Sequence, residues 1–320
     1  MNFYNVDNNH IADINYPDIY FTPEYGRACE YSDNAEWEVC KFKDLIYVYL
    51  KQPIDIEGNT YYDLITPYGY SGFYYTKEDT YIEFIPIFRE KAKERNYITE
   101  VVRQNPYLDI QITEYEKITT KHIYGIETRD FEQYFNSNLH KSKRNKYKKA
   151  QKINLSYKLI HDVPEEISQN IIELYHKHMK RLNAEEYYYF NEQYFNSLLK
   201  LQNSYLAMVL NVDGEIVGSS IILKYNNNIH YHLSCNDNSS SCITDFLLVN
   251  TVKEMCMNKL FILGGGLTNG DGLSIFKQNF SNKEFEYNIY KNILNHKIYD
   301  KLNETHTKKE TNFFPIHRDK

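Results

Sequence analysis

Apolar residues in the first third of the chain come in short continuous runs, whereas in the second half such runs alternate with stripes spaced for a helix. Residues 45–50 are an unbroken apolar and aromatic run, which predicts a buried strand. Residues 61–65 predict a second strand, stopped by the turn formers Pro67 and Gly69. Thr76 and Asp79 have the spacing of a capping box, ahead of Tyr81, Ile85, Phe88 and Ala92 on one helical face. Further strands are expected at 97–102, 108–112 and 122–126, before a basic helical stretch over 130–152. A strand at 155–160 then leads to a helix opened by Pro164, with Ile167, Ile171, Leu174, Tyr175 and Leu182 on its apolar face, and to a second helix at 192–201. Strands at 205–210, 216–224 and 229–234, joined by the tight turn Asp213-Gly214 and the link 226–228, read as an antiparallel meander. After it come a helix at 243–257, a strand at 260–263, a helix at 271–279 and a strand at 285–293.

This order predicts a mixed α/β (α+β) chain of two similar tandem domains, each a mixed, mostly antiparallel sheet flanked by helices. The expected divisions are a first domain at 1–139, a basic linking helix at 140–154, a second domain at 155–296 and a tail at 297–320 that returns to the first. A length of 320 residues accommodates two cores of ordinary size.

Composition narrows the class. A hydrophobic share of 42% and a charged share of 25% are those of a folded globular protein rather than a disordered or fibrous one. Tyrosine is abundant, at 32 residues against 17 Phe and 1 Trp, so the interior and any cleft should be lined by rings with polar tips. A net charge of −6 argues against overall attraction to nucleic acid or anionic membrane and leaves local patches to consider. The clearest patch is 140–152, where Lys141, Lys143, Arg144, Lys146, Lys148, Lys149 and Lys152 occur without an acidic residue. It reads either as a solvated linking helix or as a foothold for a tRNA backbone or a polyphosphate donor. The cysteines, at 29, 40, 235, 242 and 256, are odd in number and lack a C-x-x-C pair, which predicts neither a disulfide framework nor a zinc knuckle and suits a reducing compartment. With no secretory leader pattern and no long apolar run, the expectation is a cytoplasmic protein with no integral membrane segment. No metal is expected, since His176 and His178 sit on different helical faces and no H-E-x-x-H occurs. A G-x-S-x-G elbow is also lacking, so direct attack by the acceptor is simpler than a covalent acyl-enzyme.

A meander followed by helix, strand, helix and strand is the chain order of the GNAT acyltransferase fold. Local strings add to it: residues 61–72, 102–108, 175–182, Ala184 with 187–190, 231–234, Leu263 with Gly264, Gly265 and Gly266, then Asp271-Gly272-Leu273, Phe276-Lys277, Phe280 and 313–318. Together they resemble the FemAB-like branch of the GNAT superfamily, whose members include peptidoglycan-bridge aminoacyltransferases. The resemblance implies two GNAT-like domains sharing a cleft, an activated acyl donor and an amine acceptor that is often part of a cell-surface glycan or its precursor. Two features depart from the pattern. Residues 235–244 contain no glycine where a pyrophosphate loop of the R/Q-x-x-G-x-G kind would stand, and the long helical hairpin of some bridge-forming members is missing.

Acyl transfer to an amine needs a base, hydrogen-bond donors and a positive charge. Lys277 lies one position from an apolar stripe of Leu273, Phe276 and Phe280, where a cation either points into a cleft to hold a phosphate or developing oxyanion or snorkels to solvent. Gly264, Gly265 and Gly266 precede it and would let backbone approach a ligand closely. His232 shares a strand face with Ser234 and His230, as a base near neutral pH or as a structural histidine. Asp271 either orients Lys277 and takes a proton or serves as an N-cap. For substrate binding the candidates are Tyr68 and Tyr70 around Gly69, Arg103 with its planar fork, and Arg181 and Tyr188 from the helix-to-helix connection. The leading expectation is therefore N-acylation of an amino-sugar or peptide acceptor, free or lipid- or nucleotide-linked, with acyl-CoA (acetyl-CoA) as co-substrate. The alternatives are aminoacyl transfer from charged tRNA and a non-catalytic glycan- or peptide-binding protein.

Overall fold

The computed structural model describes residues 1–305 and 313–319. The path begins with β1 (Asn2–Asn5) and α1 (Pro23–Asp33), whose start is fixed by the Thr22 hydroxyl accepting from the Tyr25 N–H and by proline in the first turn. β2 (Glu36–Phe42), β3 (Leu45–Ile56) and β4 (Asn59–Ile65) follow, then the short β5 (Gly72–Tyr74), α2 (Glu78–Glu94) and β6 (Tyr97–Arg103). Next are β7 (Glu116–Thr128), the helical turn α3 (Phe131–Gln133), α4 (Lys141–Lys152), β8 (Ser156–Ile160), α5 (Glu165–Arg181) and α6 (Glu192–Leu199). The meander is β9 (Ser204–Leu210), β10 (Ile216–Tyr225) and β11 (Asn228–Asn236). It is followed by α7 (Ile243–Met255), β12 (Lys259–Gly264), α8 (Gly272–Gln278), β13 (Lys283–Ile293) and α9 (His296–Thr305). None of the described helices is long and apolar enough to cross a membrane.

Two compact units divide the chain: Met1–Thr120 with the described part of Tyr287–Lys320, and Lys121–Glu286. In the first, strands run in the order β1-β2-β3-β4-β6-β13 with β5 on β3, all antiparallel except the β4/β6 pair that α2 connects. In the second the order is β8-β9-β10-β11-β12-β7, again antiparallel except for one pair, β11/β12, connected by α7. The units thus repeat one plan, a meander, a crossover helix and a parallel strand, and a parallel neighbour requires such a crossover. The basic helix α4 belongs to the second unit, and the divisions fall inside β7 and β13 rather than at 139, 154 and 296. Of the expected tail, residues 306–312 and 320 lie outside the described residues. His317 Nε2 and Arg318 Nε both donate to Asp63 Oδ2 on β4 at 2.8 Å.

Three expectations about elements change. Residues 108–112 form no strand: the Asn105 Oδ1 accepts from the Tyr107 and Leu108 N–H groups, and the Tyr75 hydroxyl serves both the carbonyl and the N–H of Gln111, so side chains replace a ladder. The capping box at Thr76 does not form either. Lys77 is the N-cap of α2 without a side-chain bond, and Thr76 and Thr80 are held instead by Asp44. The basic stretch over 130–152 is broken at Leu139 and His140, so α4 begins only at Lys141.

Candidate active site

The parallel pair of the second unit holds register only over Asn228–His230 against Leu260–Ile262, after which β11 runs on to Asn236 and β12 to Gly264. Open sheets bind ligands outside the carboxyl ends of strands at such places. The glycines that follow β12 answer to steric need. A Cβ on Gly265 would lie 2.4 Å from the His122 carbonyl oxygen, and one on Gly266 would lie 2.1 Å from Asp271 Oδ1. Gly264 takes a φ of +76°.

Asp271 folds this turn onto α8. Its Oδ1 accepts from the Ser274 N–H at 2.7 Å, as an N-cap should, and its Oδ2 accepts from the Leu267 and Thr268 N–H groups at 2.6 and 2.9 Å. Those backbone hydrogen bonds hold the carboxyl below its ordinary range. α8 is further seated by Ser274, whose hydroxyl meets that of Tyr124 at 3.2 Å, and by Phe276 and the fully buried Phe280 against the core. Leu273, expected on the same inward stripe, is 48% exposed. The i, i+3 spacing does put 273 and 276 on one side of the helix, but Leu273 lies in the first turn, ahead of the part of that side which Phe276 and Phe280 seat in the core. Lys277 is half-buried, and its Nζ donates to the Gly265 carbonyl at 2.7 Å. Desolvation pulls its ammonium down to about 8, with the Asp271 carboxylate opposing the shift.

The other candidates on this unit form separate groups. His232 is buried, its Nε2 pairs with the Tyr194 hydroxyl at 3.0 Å, and desolvation, then its neighbour His230, takes the imidazole down to about 3. It is therefore neutral at neutral pH and a weak base. The Ser234 hydroxyl donates to the Ser219 carbonyl at 3.0 Å. Arg181 Nη2 clasps the end of β11 through the Asn236 carbonyl and Oδ1, both at 3.0 Å, beside His178. The Tyr188 carbonyl accepts from Tyr175 at 2.9 Å. Beyond Asn236, α7 starts at Cys242 without a side-chain cap, and its first turn already contains the buried carboxylate of Asp245.

On the first unit the turn after β4 is built from rings. The Tyr68 carbonyl accepts from the Tyr25 hydroxyl at 2.6 Å, and Gly69, at a φ of +105°, leaves no room for a Cβ against the Tyr20 ring. Tyr70 sits edge-on to Tyr20, Tyr107 and Tyr287 at 5.8, 6.2 and 5.2 Å, and burial raises its hydroxyl pKa. Arg103 Nη1 donates to the Thr66 carbonyl at 3.2 Å. Near it Asp33, at the end of α1, is pushed up to about 6 by desolvation against the pull of Arg103. Tyr20, Tyr25, Tyr107 and Asp33 escaped the sequence reading, because only the fold brings α1 and the preceding turn beside residues 66–70; the Thr22-Pro23 helix start was the available signal.

On α4, Lys141, Lys148, Lys149 and Lys152 are exposed, Arg144 caps the carbonyls of Phe135, Asn136 and Leu139, and Lys143 is buried against Asp245. The His140 N–H donates to the Asn279 carbonyl at 3.1 Å, which ties the start of this helix to the end of α8. An open groove of about 530 Å³ lined by Tyr147, Gln151, Tyr157, Phe246 and Asn250 among others contains none of the candidate residues. Among the described residues no cluster of His, Cys, Asp and Glu could hold a metal ion.

No protein-family model matches the chain, and neither does any curated protein sequence. Solved structures do. FemX superposes with a TM-score of 0.68 at 12% identity, over 94% of this chain and 99% of its own. The C-terminal domain of a putative lysylphosphatidylglycerol synthetase from Agrobacterium fabrum gives 0.59 at 13% identity, over 86% and 88%. L-PGS from Bacillus licheniformis gives 0.53 at 16% identity, over 81% and 82%. The likeness defines a GNAT-like mixed α/β fold, and in particular the fold that FemX has.

Proposed function

We propose that this chain is an acyltransferase that moves an aminoacyl group from charged tRNA to an amine acceptor. The observation that carries the reading is Lys277: a desolvated ammonium at the carboxyl end of β12, with one N–H on the Gly265 carbonyl and the remaining donors of the three that an ammonium has. Even with its value pulled down to about 8, most copies are charged at neutral pH. The acceptor amine attacks the donor's ester carbonyl carbon, a C–N bond forms, and the C–O bond to the tRNA ribose breaks with its electron pair going to that oxygen, which takes up a proton as the amine loses one. Lys277 meets the negative charge that develops on the carbonyl oxygen. Asp271 supports it by fixing the turn, and the Gly264, Gly265 and Gly266 backbone leaves space for the donor. We assign His232 to holding the Tyr194 hydroxyl in place, since its imidazole takes protons poorly. The 68–70 turn and Arg103 suit part of an amino-sugar or peptide acceptor, and Arg181, Ser234 and Tyr188 shape the end of β11.

Charged tRNA is preferred as donor because exposed lysines on α4 are tied through His140 to α8. A putative lysylphosphatidylglycerol synthetase is also among the similar structures, and attaching a lysyl group is an aminoacyl transfer. Acyl-CoA is the second reading, favoured by the fold; against it, Asp245 already occupies the first turn of α7, where a pyrophosphate would seek positive dipole. The test is incubation with charged tRNA and with acetyl-CoA separately, in the presence of amino-sugar and peptide acceptors, followed by mass analysis. A mass gain equal to an aminoacyl residue is expected with tRNA, reduced ~100-fold or more in Lys277→Met. Product from acetyl-CoA alone would replace the donor. No product from either would overturn the catalytic reading in favour of a binding protein, and full activity in folded Lys277→Met would remove Lys277 from the chemistry.

A further inference from the structure

Among the cations of α4, Lys143 is the buried one. Only 5% of it is exposed, and its Nζ lies 3.2 Å from Asp245 Oδ1 on α7, while Lys146 reaches the other carboxylate oxygen at 3.7 Å. The same ammonium stands 3.7 Å from the centroid of the Phe276 ring and 4.9 Å from that of Phe280. Burying a lysine is costly, and an apolar side chain of equal length would fill this space with less penalty. Something other than space-filling accounts for the charge. α8 is short and leaves both Leu273 and Ile275 exposed, so few apolar contacts fix its rotation. A cation against an aromatic face prefers a defined position over that face, and Phe276 immediately precedes Lys277. Turning Phe276 turns Lys277 with it.

We propose that Lys143 is a positioning residue for Lys277: clamped by Asp245, it fixes the Phe276 ring and thereby the rotation of α8 that aims Lys277 at the Gly265 carbonyl and the reacting centre. This rests on the reading of Lys277 given above, but its test does not require turnover. Trace labelling of amines with acetic anhydride across pH, with mass detection of the Lys277 peptide, gives the titration of that one side chain. Asp271 is the charged group that raises its value against desolvation, and it stays unaltered in every variant.

In the native chain Lys277 should titrate at about 8. In Lys143→Met/Asp245→Asn, which removes both buried charges and leaves only the part-exposed Lys146 to water, the midpoint should rise by about a unit or more toward an ordinary lysine as α8 loosens and water enters. Phe276→Leu, which keeps the ion pair, should raise it too, and Lys143→Arg should retain the native value. A folded double variant with an unmoved midpoint overturns the inference, and if the double variant does not fold, an unmoved midpoint in Phe276→Leu does so. Should the midpoint move while no donor yields product, positioning stands and the catalytic reading falls. Should transfer require Lys277 while its titration ignores both variants, positioning alone falls. Once a donor is found, the double variant should lose about tenfold in kcat with KM little changed.

Discussion

In the first unit the parallel pair β4/β6 is followed by side chains that cross to neighbouring backbone: the Gln104 amide bonds both the N–H and the carbonyl of Phe73 at 2.9 Å, and Asn105 reaches the Tyr70 carbonyl at 3.0 Å. In the second unit the corresponding pair, β11/β12, leads instead to a glycine turn and a lysine whose amine bonds that turn's own carbonyl. The cores differ in the same sense. The first is aromatic and polar, with Tyr47 stacked on Phe73 at 4.1 Å and two carboxylates, Glu38 and Glu100, buried among hydroxyls. The second is chiefly aliphatic, around Val209, Ile222, Leu247 and Leu248, and its buried charges are set under α8. One plan of strands thus ends in two ways: in the first unit side chains of Gln104 and Asn105 are tied to the scaffold, and in the second a lysine ammonium bonds the glycine turn.

That contrast breaks most sharply at Glu38. Its Oε1 accepts from the hydroxyls of Tyr49 and Tyr97, each at 2.6 Å, and its Oε2 pairs with Arg95 at 2.5 Å. Glu38→Ala strands two buried hydroxyls and takes the carboxylate from the part-exposed Arg95 and from Lys51, and a loss of about 3–5 kcal/mol in urea unfolding is expected. A loss below about 1 kcal/mol would mean that the network is incidental to the first unit.

Glu100 gives the next largest effect, and it is one of pH. The side chain is fully buried, and desolvation raises it to about 7 against hydrogen bonds led by Asn292 at 2.8 Å. Because the folded value is the higher one, the folded state binds the proton more tightly than the unfolded chain does. The stability it contributes is complete below the unfolded value near 4.5 and is lost as pH rises through about 7. Urea midpoints should therefore fall between pH 5 and 8 by an amount worth roughly 3 kcal/mol, and Glu100→Gln should flatten the profile. An unchanged slope in that variant would assign the titration elsewhere.

The meander, its crossover helix and α8 were legible because each has one exposed or one buried face, and periodicity reports faces. Lys277, the glycines and Asp271 were legible as a local group because they are neighbours in sequence. Contributions that come from distant chain were not. Nothing in residues 108–112 reveals that Tyr75 will take over their backbone, and nothing around Lys143 distinguishes it from the solvated lysines beside it until Asp245 and Phe276 are brought up. Leu273 misled for a related reason: an i, i+3 pattern on a short helix does not say which of its members finds the core.

The start of α2 shows the same limit on a smaller scale, and it supplies the mildest break in the comparison. Thr76 and Asp79 have the right spacing, yet the cap comes from Asp44 in the β2–β3 turn, which accepts from the Thr76 N–H at 2.9 Å and from the Thr76 and Thr80 hydroxyls at 2.5 and 2.6 Å. Desolvation works against the Asp44 carboxylate, but these hydrogen bonds outweigh it and hold the group below the usual range. α7, the matching helix of the second unit, has no side-chain cap and relies on a buried aspartate in its first turn. Asp44→Ala should cost about 1 kcal/mol, the ordinary worth of a cap, and Asp44→Asn less, since its amide oxygen still accepts. With a folded value below the unfolded one, the contribution is present above the unfolded carboxyl range and lost as pH falls toward the folded value, so native and Asp44→Ala urea midpoints should converge in strong acid. If they keep their separation there, the cap works through the threonine hydroxyls' geometry and not through the charge.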